Sequence, residues 1–390
     1  MAFETKQEVL NWYEKQQRAL TPEFIADIPW NTVKNHSLDP RFVPVLLYMR
    51  DVESLTDMYY SELRRTPTGR DPVIGKFMER WSVEEQTHGD LLNQFLNEAG
   101  FATDEKWQAN VRKSVSGVYK LNSYMITTLT NLIGRKFTAT HMTFGAIHEM
   151  STTQGYRRLI ELADHPVLMH ILNGIIREES AHTQFYKNVA RIELRNSEFA
   201  RKTARFVVEH FWQPVGQGAK PRKESEYTIA TLFGGKDGIE WAEKTVSDRM
   251  RQLPGFADLT KITETVSRIS NANLTINTLP SALLPDRSHS SYRTYPTYRL
   301  YKSLVVLNLR FTITSVSHNL MGHAWDNGGQ SSAIKLDSVL DLESYFPFAF
   351  GEIEMCNRLR DRQEPMHVMI EGIRKKELRC FKGGNAGFRN

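Results

Sequence analysis

Two stretches of the chain each place a glutamate and a histidine three residues apart in the middle of an otherwise apolar helical row. From Pro72 the residues spaced four and three apart are Ile74, Met78, Trp81, Glu85, His88, Leu92 and Phe95. From Pro166 they are Leu168, Leu172, Ile175, Glu179, His182, Tyr186 and Val189. Positions three or four apart share one helical face, so both ionisable pairs point where their apolar neighbours point. Two further rows, Leu46, Met49, Glu53, Thr56, Tyr60, Leu63 and Met142, Ala146, Glu149, Thr152, Tyr156, Ile160, carry one glutamate each at mid-row. Four carboxylates turned into a shared apolar core are costly if charged and unpaired, so something must compensate them. Two divalent cations do so, with neutral imidazoles completing the donor set. Oxygen and imidazole donors without thiolate suit iron (Fe2+/Fe3+) or manganese.

A single Glu-x-x-His on a helix is common by chance and is usually a surface pair. Two of them, each centred in its row and each preceded by a helix with a mid-row glutamate, form the pattern of ferritin-like di-metal bundles. The candidate ligands are Glu53, Glu85, His88, Glu149, Glu179 and His182. Glu84 and Glu178, directly before two of them, either orient an imidazole from outside or are solvated helix acids. Thr152, one turn beyond Glu149, either faces the oxygen-handling side of the metals or bonds back to its own helix. Trp81 and Tyr60 read as packing, and His148 as a surface or satisfied histidine.

Helix punctuation places these rows. Asp39-Pro40 and Asp71-Pro72 are start signals and Gly100 is a stop, predicting one long helix over 39–65 and another over 72–99. A third is expected over 135–163 and a fourth from Pro166 to about Asn196. Residues 101–134 are too many for a tight turn and read as a helical connection. A short amphipathic helix is predicted over 5–20, and another from Trp241 to Arg251. The expected fold class is all-α, a ferritin-like helical bundle with accessory helices over 1–270, followed by a C-terminal extension over 271–390 whose character changes to Ser, Tyr and Arg without sustained periodicity.

Charge and composition narrow the class. The chain of 390 residues has net charge +5, and residues 271–390 hold 15 basic against 11 acidic residues, so the basicity sits mostly in the last third. Without clustered Lys/Arg runs this gives no warrant for nucleic acid. No stretch approaches the roughly 18 continuous apolar residues of a membrane span. His318 and His323 make one histidine box without such a span, which argues against a membrane desaturase. Two cysteines, Cys356 and Cys380, give no disulfide framework, and the N-terminal residues lack a leader pattern, so a cytoplasmic, reducing location is expected.

The segment Trp81-Ser-Val-Glu84-Glu85-Gln-Thr-His88-Gly89-Asp90-Leu91-Leu92-Asn93 resembles the W-x-x-E-E-x-x-H-G-D-L-L-N signature of the soluble acyl-acyl-carrier-protein desaturases. Glu149-Met-Ser-Thr152 followed by Tyr156-Arg157 is similar to that family's E-x-x-T stretch, and Glu178-Glu179-Ser-Ala-His182 to its acid-E-x-x-H. The resemblance covers about 30–260. After Glu53 this chain has Ser-Leu-Thr where the family has an acid or amide and then Leu-Pro. The resemblance implies two iron ions on the six residues named, Thr152 beside the oxygen site, and O₂-dependent desaturation of a fatty acyl chain in fatty acid biosynthesis. It also implies an acyl carrier protein as substrate carrier, a ferredoxin-like electron donor and a homodimer. The acidic carrier is expected to dock on Arg64, Arg65, Arg70, Lys76 and Arg80. Rival readings are a di-iron hydroxylase or N-oxygenase and, in another class, an iron-storage protein.

Overall fold

The computed structural model describes residues 3–273, and within them the regular elements are all helical, with one isolated bridge between Gln217 and Lys220. The first helices are α1 (Lys6–Glu14), α2 (Pro22–Ala26) and α3 (Val43–Ser54). Next come α4 (Thr56–Leu63), α5 (Pro72–Glu98), α6 (Trp107–Ser114) and α7 (Gly117–Ile133). The second half of the bundle is α8 (Thr138–Ala163) and α9 (Pro166–Arg195), flanked by α10 (Glu198–Phe211), α11 (Arg222–Phe233) and α12 (Gly235–Ala242). A π-turn over Glu243–Ser247 joins α12 to α13 (Asp248–Met250), and α14 (Lys261–Asn273) packs against α11 and α12.

The start signals act as expected. Asp71 accepts from the backbone N–H groups of Val73 (3.0 Å) and Ile74 (3.4 Å), capping α5 with Pro72 in its first turn. Between α8 and α9 the chain reverses within two residues. Asp164 takes left-handed backbone (φ 46°), and His165 caps α9 by accepting from the N–H of Leu168 at 3.3 Å. α8 packs chiefly on α9, and α3 on α5. The α8 backbone comes close to α9 at Gly145, where a Cβ would lie 2.2 Å from the ring of Tyr186.

The four rows meet in the interior, and their polar positions divide the apolar core in two. One cluster gathers Ile74, Met78 and Trp81 of α5 with Met142 and Ala146 of α8 and Phe185, Tyr186 and Val189 of α9. The other gathers Leu92 and Phe95 of α5 with Leu46 and Met49 of α3, Tyr156 and Leu159 of α8, and Leu168, Leu172 and Ile175 of α9. On α5 the first cluster precedes Glu85 and the second follows His88; on α9 the order is reversed. The glutamates and histidines therefore form a mid-bundle layer between two dry cores.

Three boundaries differ from expectation. The helix expected over 39–65 is broken. A 3₁₀ turn covers Pro40–Phe42, and Leu55 separates α3 from α4, where Leu55 N–H bonds Val52 at 3.0 Å and the Thr56 hydroxyl donates to the carbonyl of Glu53 at 2.6 Å. The tightened turn falls just after Glu53. α1 ends at Glu14 rather than running to 20, which leaves residues 15–21 as an irregular turn-and-bend segment. The helix expected over 241–251 is distributed over α12, the π-turn and α13. The boundary expected near 270 falls inside α14; the extension from residue 274 on, with Cys356, Cys380, His318 and His323, lies outside the described residues.

Candidate metal centre

All six candidate ligands are buried in the mid-bundle layer, and they form two groups that could each hold a metal ion. Glu53, Glu85, His88 and Glu179 make one; Glu85, Glu149, Glu179 and His182 make the other, with the donor atoms of each group within 4.8 Å of one another. Glu85 and Glu179 belong to both. Each histidine turns Nδ1 inward. His88 Nδ1 lies 3.2 Å from Glu179 and 4.0 Å from Glu53, while His182 Nδ1 lies 3.0 Å from Glu85, 3.6 Å from Glu149 and 3.7 Å from Glu179.

The inward atoms have no hydrogen-bond partner. His88 Nδ1, His182 Nδ1, Glu85 Oε1 and both carboxylate oxygens of Glu179 are buried and unpaired. Buried polar atoms are almost always hydrogen-bonded, so five orphans converging on one volume mark a place for something that accepts their lone pairs. A cation does that. The donor chemistry, carboxylate and imidazole without thiolate, fits iron or manganese.

The outward sides of the same residues are fully engaged, in a crossed pattern. His88 on α5 gives its Nε2–H to Glu178 on α9 at 3.1 Å, and His182 on α9 gives its Nε2–H to Glu84 on α5 at 2.7 Å. A carboxylate accepts only, so each Nε2 carries a proton, and a ring that gives up its second proton to a cation offers its Nδ1 lone pair to the interior. Glu53 accepts from the phenol of Tyr156 on α8, and Glu149 of α8 accepts from Trp81 Nε1 on α5 at 3.1 Å. Glu84 and Glu178 thus hold the imidazoles, and Trp81, read from sequence as packing, also fixes a carboxylate.

Outside this ring lies a layer that the sequence did not reveal. Glu84 accepts from Tyr13 OH at 2.6 Å and Arg80 Nε at 2.8 Å. Glu178 accepts from Arg18 Nε at 3.0 Å and from the backbone N–H groups of Ala19 (2.9 Å) and Leu20 (3.1 Å). Nothing in the local spacing of residues 13–20 announces this, because the contacts span about 70 to 160 positions of sequence. Six carboxylates (Glu53, Glu84, Glu85, Glu149, Glu178, Glu179) face two guanidiniums (Arg18, Arg80) here. The outer pair is balanced, and the inner four, once ionised, carry four negative charges, the charge of two divalent cations.

The electrostatics of the protein groups show that excess. Burial opposes charge on His88, but Glu178 and Glu179 outweigh it and raise its pKa to about 9; His182 is raised likewise against burial by Tyr13 and its carboxylate neighbours. Burial first, then the charge on Glu179, pushes Glu53 upward and Glu149 to about 8, and Glu85 is raised in the same way. Glu179, despite its burial, is held low by the two histidines beside it. Such a cluster holds protons until cations displace them, which couples metal binding to proton release.

Thr152 is half-buried, and no described residue hydrogen-bonds its side chain; the back-bond to Glu149, at 2.8 Å, is made by Thr153 instead. His148 donates its Nε2–H to the carbonyl of Gln213 at 3.3 Å, a satisfied histidine. Of the basic residues around 64–80, Arg64, Arg65, Arg70 and Lys76 are exposed, whereas Arg80 is turned inward onto Glu84 and over the Tyr13 ring (4.6 Å). Arg80 is therefore withdrawn from the docking set, because its charge is spent inside.

Residues 54–206 match the family model described as fatty acid desaturase. The match starts one residue after Glu53 and takes in Glu85, His88, Glu149, Thr152, Glu179 and His182. It is narrower than the roughly 30–260 span of the motif resemblance, and residues 13–20 fall outside it. No curated protein matches the chain. The family match supports desaturase-type oxidoreductase chemistry, and no described helix is long and apolar enough to cross a membrane.

Proposed function

We propose that the protein is an O₂-dependent desaturase of a fatty acyl chain carried on acyl carrier protein, with Glu53, Glu85, His88, Glu149, Glu179 and His182 as ligands of two iron ions. The observation that carries the reading is the set of inward, unpartnered donor atoms in two groups sharing Glu85 and Glu179, within a chain whose residues 54–206 match the fatty acid desaturase family. Iron bound there supplies O₂ reduction and the removal of two hydrogens from adjacent methylenes, driven by two electrons from a ferredoxin-like donor.

The protein's own part is to hold, orient and keep dry. Glu85 and Glu179, common to both groups, would serve both ions, and Glu53 and Glu149, aimed by Tyr156 and Trp81, would serve one each. Glu178 and Glu84 fix the imidazole tautomers. The apolar row of Ile74, Met78, Met142 and Ala146, all fully buried, continues from this layer and offers an acyl chain a water-free surface. Thr152 is the hydroxyl nearest in sequence to Glu149 that is left free to meet an oxygen species. The carrier protein, acidic in this role, meets Arg64, Arg65, Arg70 and Lys76 at one bundle end.

The test is to supply purified protein with reductant, O₂ and a panel of acyl carriers, and to weigh the lipid products. New unsaturated chains, two mass units lighter than the substrate, support the proposal. Products carrying added oxygen would make the protein a hydroxylase or N-oxygenase, and iron uptake without any product would favour storage.

A further inference from the structure

The segment between α1 and α2 crosses the bundle where the two outer carboxylates come together. Arg18 lies there, with Nε 3.0 Å from Glu178 and 3.5 Å from Glu84, and Nη2 donating to the Thr87 hydroxyl at 3.3 Å, next in sequence to His88. Its two carboxylate partners are almost wholly buried, with side chains 2% and 1% exposed, whereas Arg18 itself is 31% exposed. A cavity of about 290 Å³ lined by Gln16, Arg18, Arg80, Glu84, Arg177 and Glu178 opens beside it. Glu84 has a second guanidinium in Arg80; among the described residues Glu178 has Arg18 alone.

We propose that Arg18 is a positioning residue that couples the two halves of the metal centre, one guanidinium setting both carboxylates that orient the two imidazoles. The inference rests on the reading of the site as a metal centre. The basicity and orientation of a metal-bound imidazole follow from the carboxylate that accepts its outer N–H, and that carboxylate's strength follows from its own partners. Glu178 serves His88 on α5 and Glu84 serves His182 on α9, so a charge shared by both carboxylates acts on both groups at once. The Nε–H donates to Glu178, Glu84 lies 3.5 Å from the same Nε without a hydrogen bond and is reached by the charge alone, and Nη2 turns to Thr87. The residue lies outside the span 54–206 that matches the desaturase family, so this chain closes its site with a segment that the family match does not include.

The experiment titrates cobalt(II) into the full chain and follows its visible absorption, alongside thermal unfolding of the metal-free protein. Arg18→Gln should weaken both cobalt sites together, about 10–100-fold as for other outer-sphere partners, and shift the cobalt bands. Arg18→Lys should recover part of the affinity, Glu178→Gln should weaken one site only, and Arg177→Gln, on the same cavity wall, should match the wild type. Wild-type affinity and spectrum in Arg18→Gln, or a lowered unfolding temperature with unchanged affinity, would show a merely structural role and overturn the inference. Weakening of a single site would overturn the coupling. Wild-type protein that takes up no cobalt would overturn the metal reading, and this inference with it; uptake by the wild type with an unaltered Arg18→Gln overturns this inference alone.

Discussion

At the scale of single residues, the centre is organised by crossing. Each helix of the α5/α9 pair supplies a histidine and, one position before its inner glutamate, the carboxylate that holds the other helix's histidine. Glu84 should therefore behave differently from Glu85. Glu84→Ala is expected to retain metal at stoichiometric loading while lowering affinity about 10–100-fold, since it removes an orienting group and not a donor; a metal titration checks this, and complete loss of binding would make Glu84 a ligand. Trp81→Phe keeps the ring in its aromatic surroundings and deletes the Nε1–H donated to Glu149. A hydrogen bond to a charged group is worth about 1.5–3 kcal/mol, so denaturant unfolding of the metal-loaded protein, in which Glu149 is ionised, should show a loss in that range. A loss under about 0.5 kcal/mol would return Trp81 to the packing role suggested by the row in which it was read. That row was legible because a period of 3.6 reports which face is buried. The donors of Trp81 and Tyr156 were not, because a helical row says that a residue points inward without saying what its polar atom meets.

At the scale of elements, the bundle depends on how closely α8 and α9 approach. Gly145 leaves room for Tyr186, one turn beyond His182, and a Cβ there would sit 2.2 Å from a fully buried ring. Gly145→Ala should cost about 1–3 kcal/mol by overpacking, lowering the melting temperature by several degrees. Calorimetry showing an unchanged midpoint would mean that the ring has somewhere to go. The long helices α5, α8 and α9 were readable because Pro, Asp and Gly punctuate them and because they pack on both sides. The break at Leu55 was not: nothing in Glu53-Ser-Leu-Thr forbids a helix, and the turn is imposed by the tertiary position of Glu53. The early end of α1 has the same origin, in contacts from Arg18–Leu20 to a carboxylate some 160 residues away.

At the scale of the whole molecule, the proposed metal layer and the proposed docking residues lie in different parts of one bundle. Arg64, Arg65 and Arg70 are exposed within seven residues of sequence, beside Lys76. If an acidic acyl carrier docks there, raising salt from 0.1 to 1 M, which shortens the Debye length from about 10 to about 3 Å, should weaken apparent affinity. A triple charge reversal of Arg64, Arg65 and Arg70 should abolish that salt dependence; affinity that is flat in salt and unchanged in the variant would place the carrier elsewhere. All six proposed ligands lie between 53 and 182, yet α14 packs as far as Ser270, with Ile269 buried and the Ser270 hydroxyl donating to the Phe233 carbonyl at 3.0 Å, so a cut near 269 would remove buried contacts. The central claim is that six buried side chains hold two metal ions, and elemental analysis of the full chain tests it most directly. The account predicts about two iron or manganese atoms per wild-type chain and loss of metal in Glu85→Ala and Glu179→Ala, the residues common to both groups; full metal retained in both variants would contradict it.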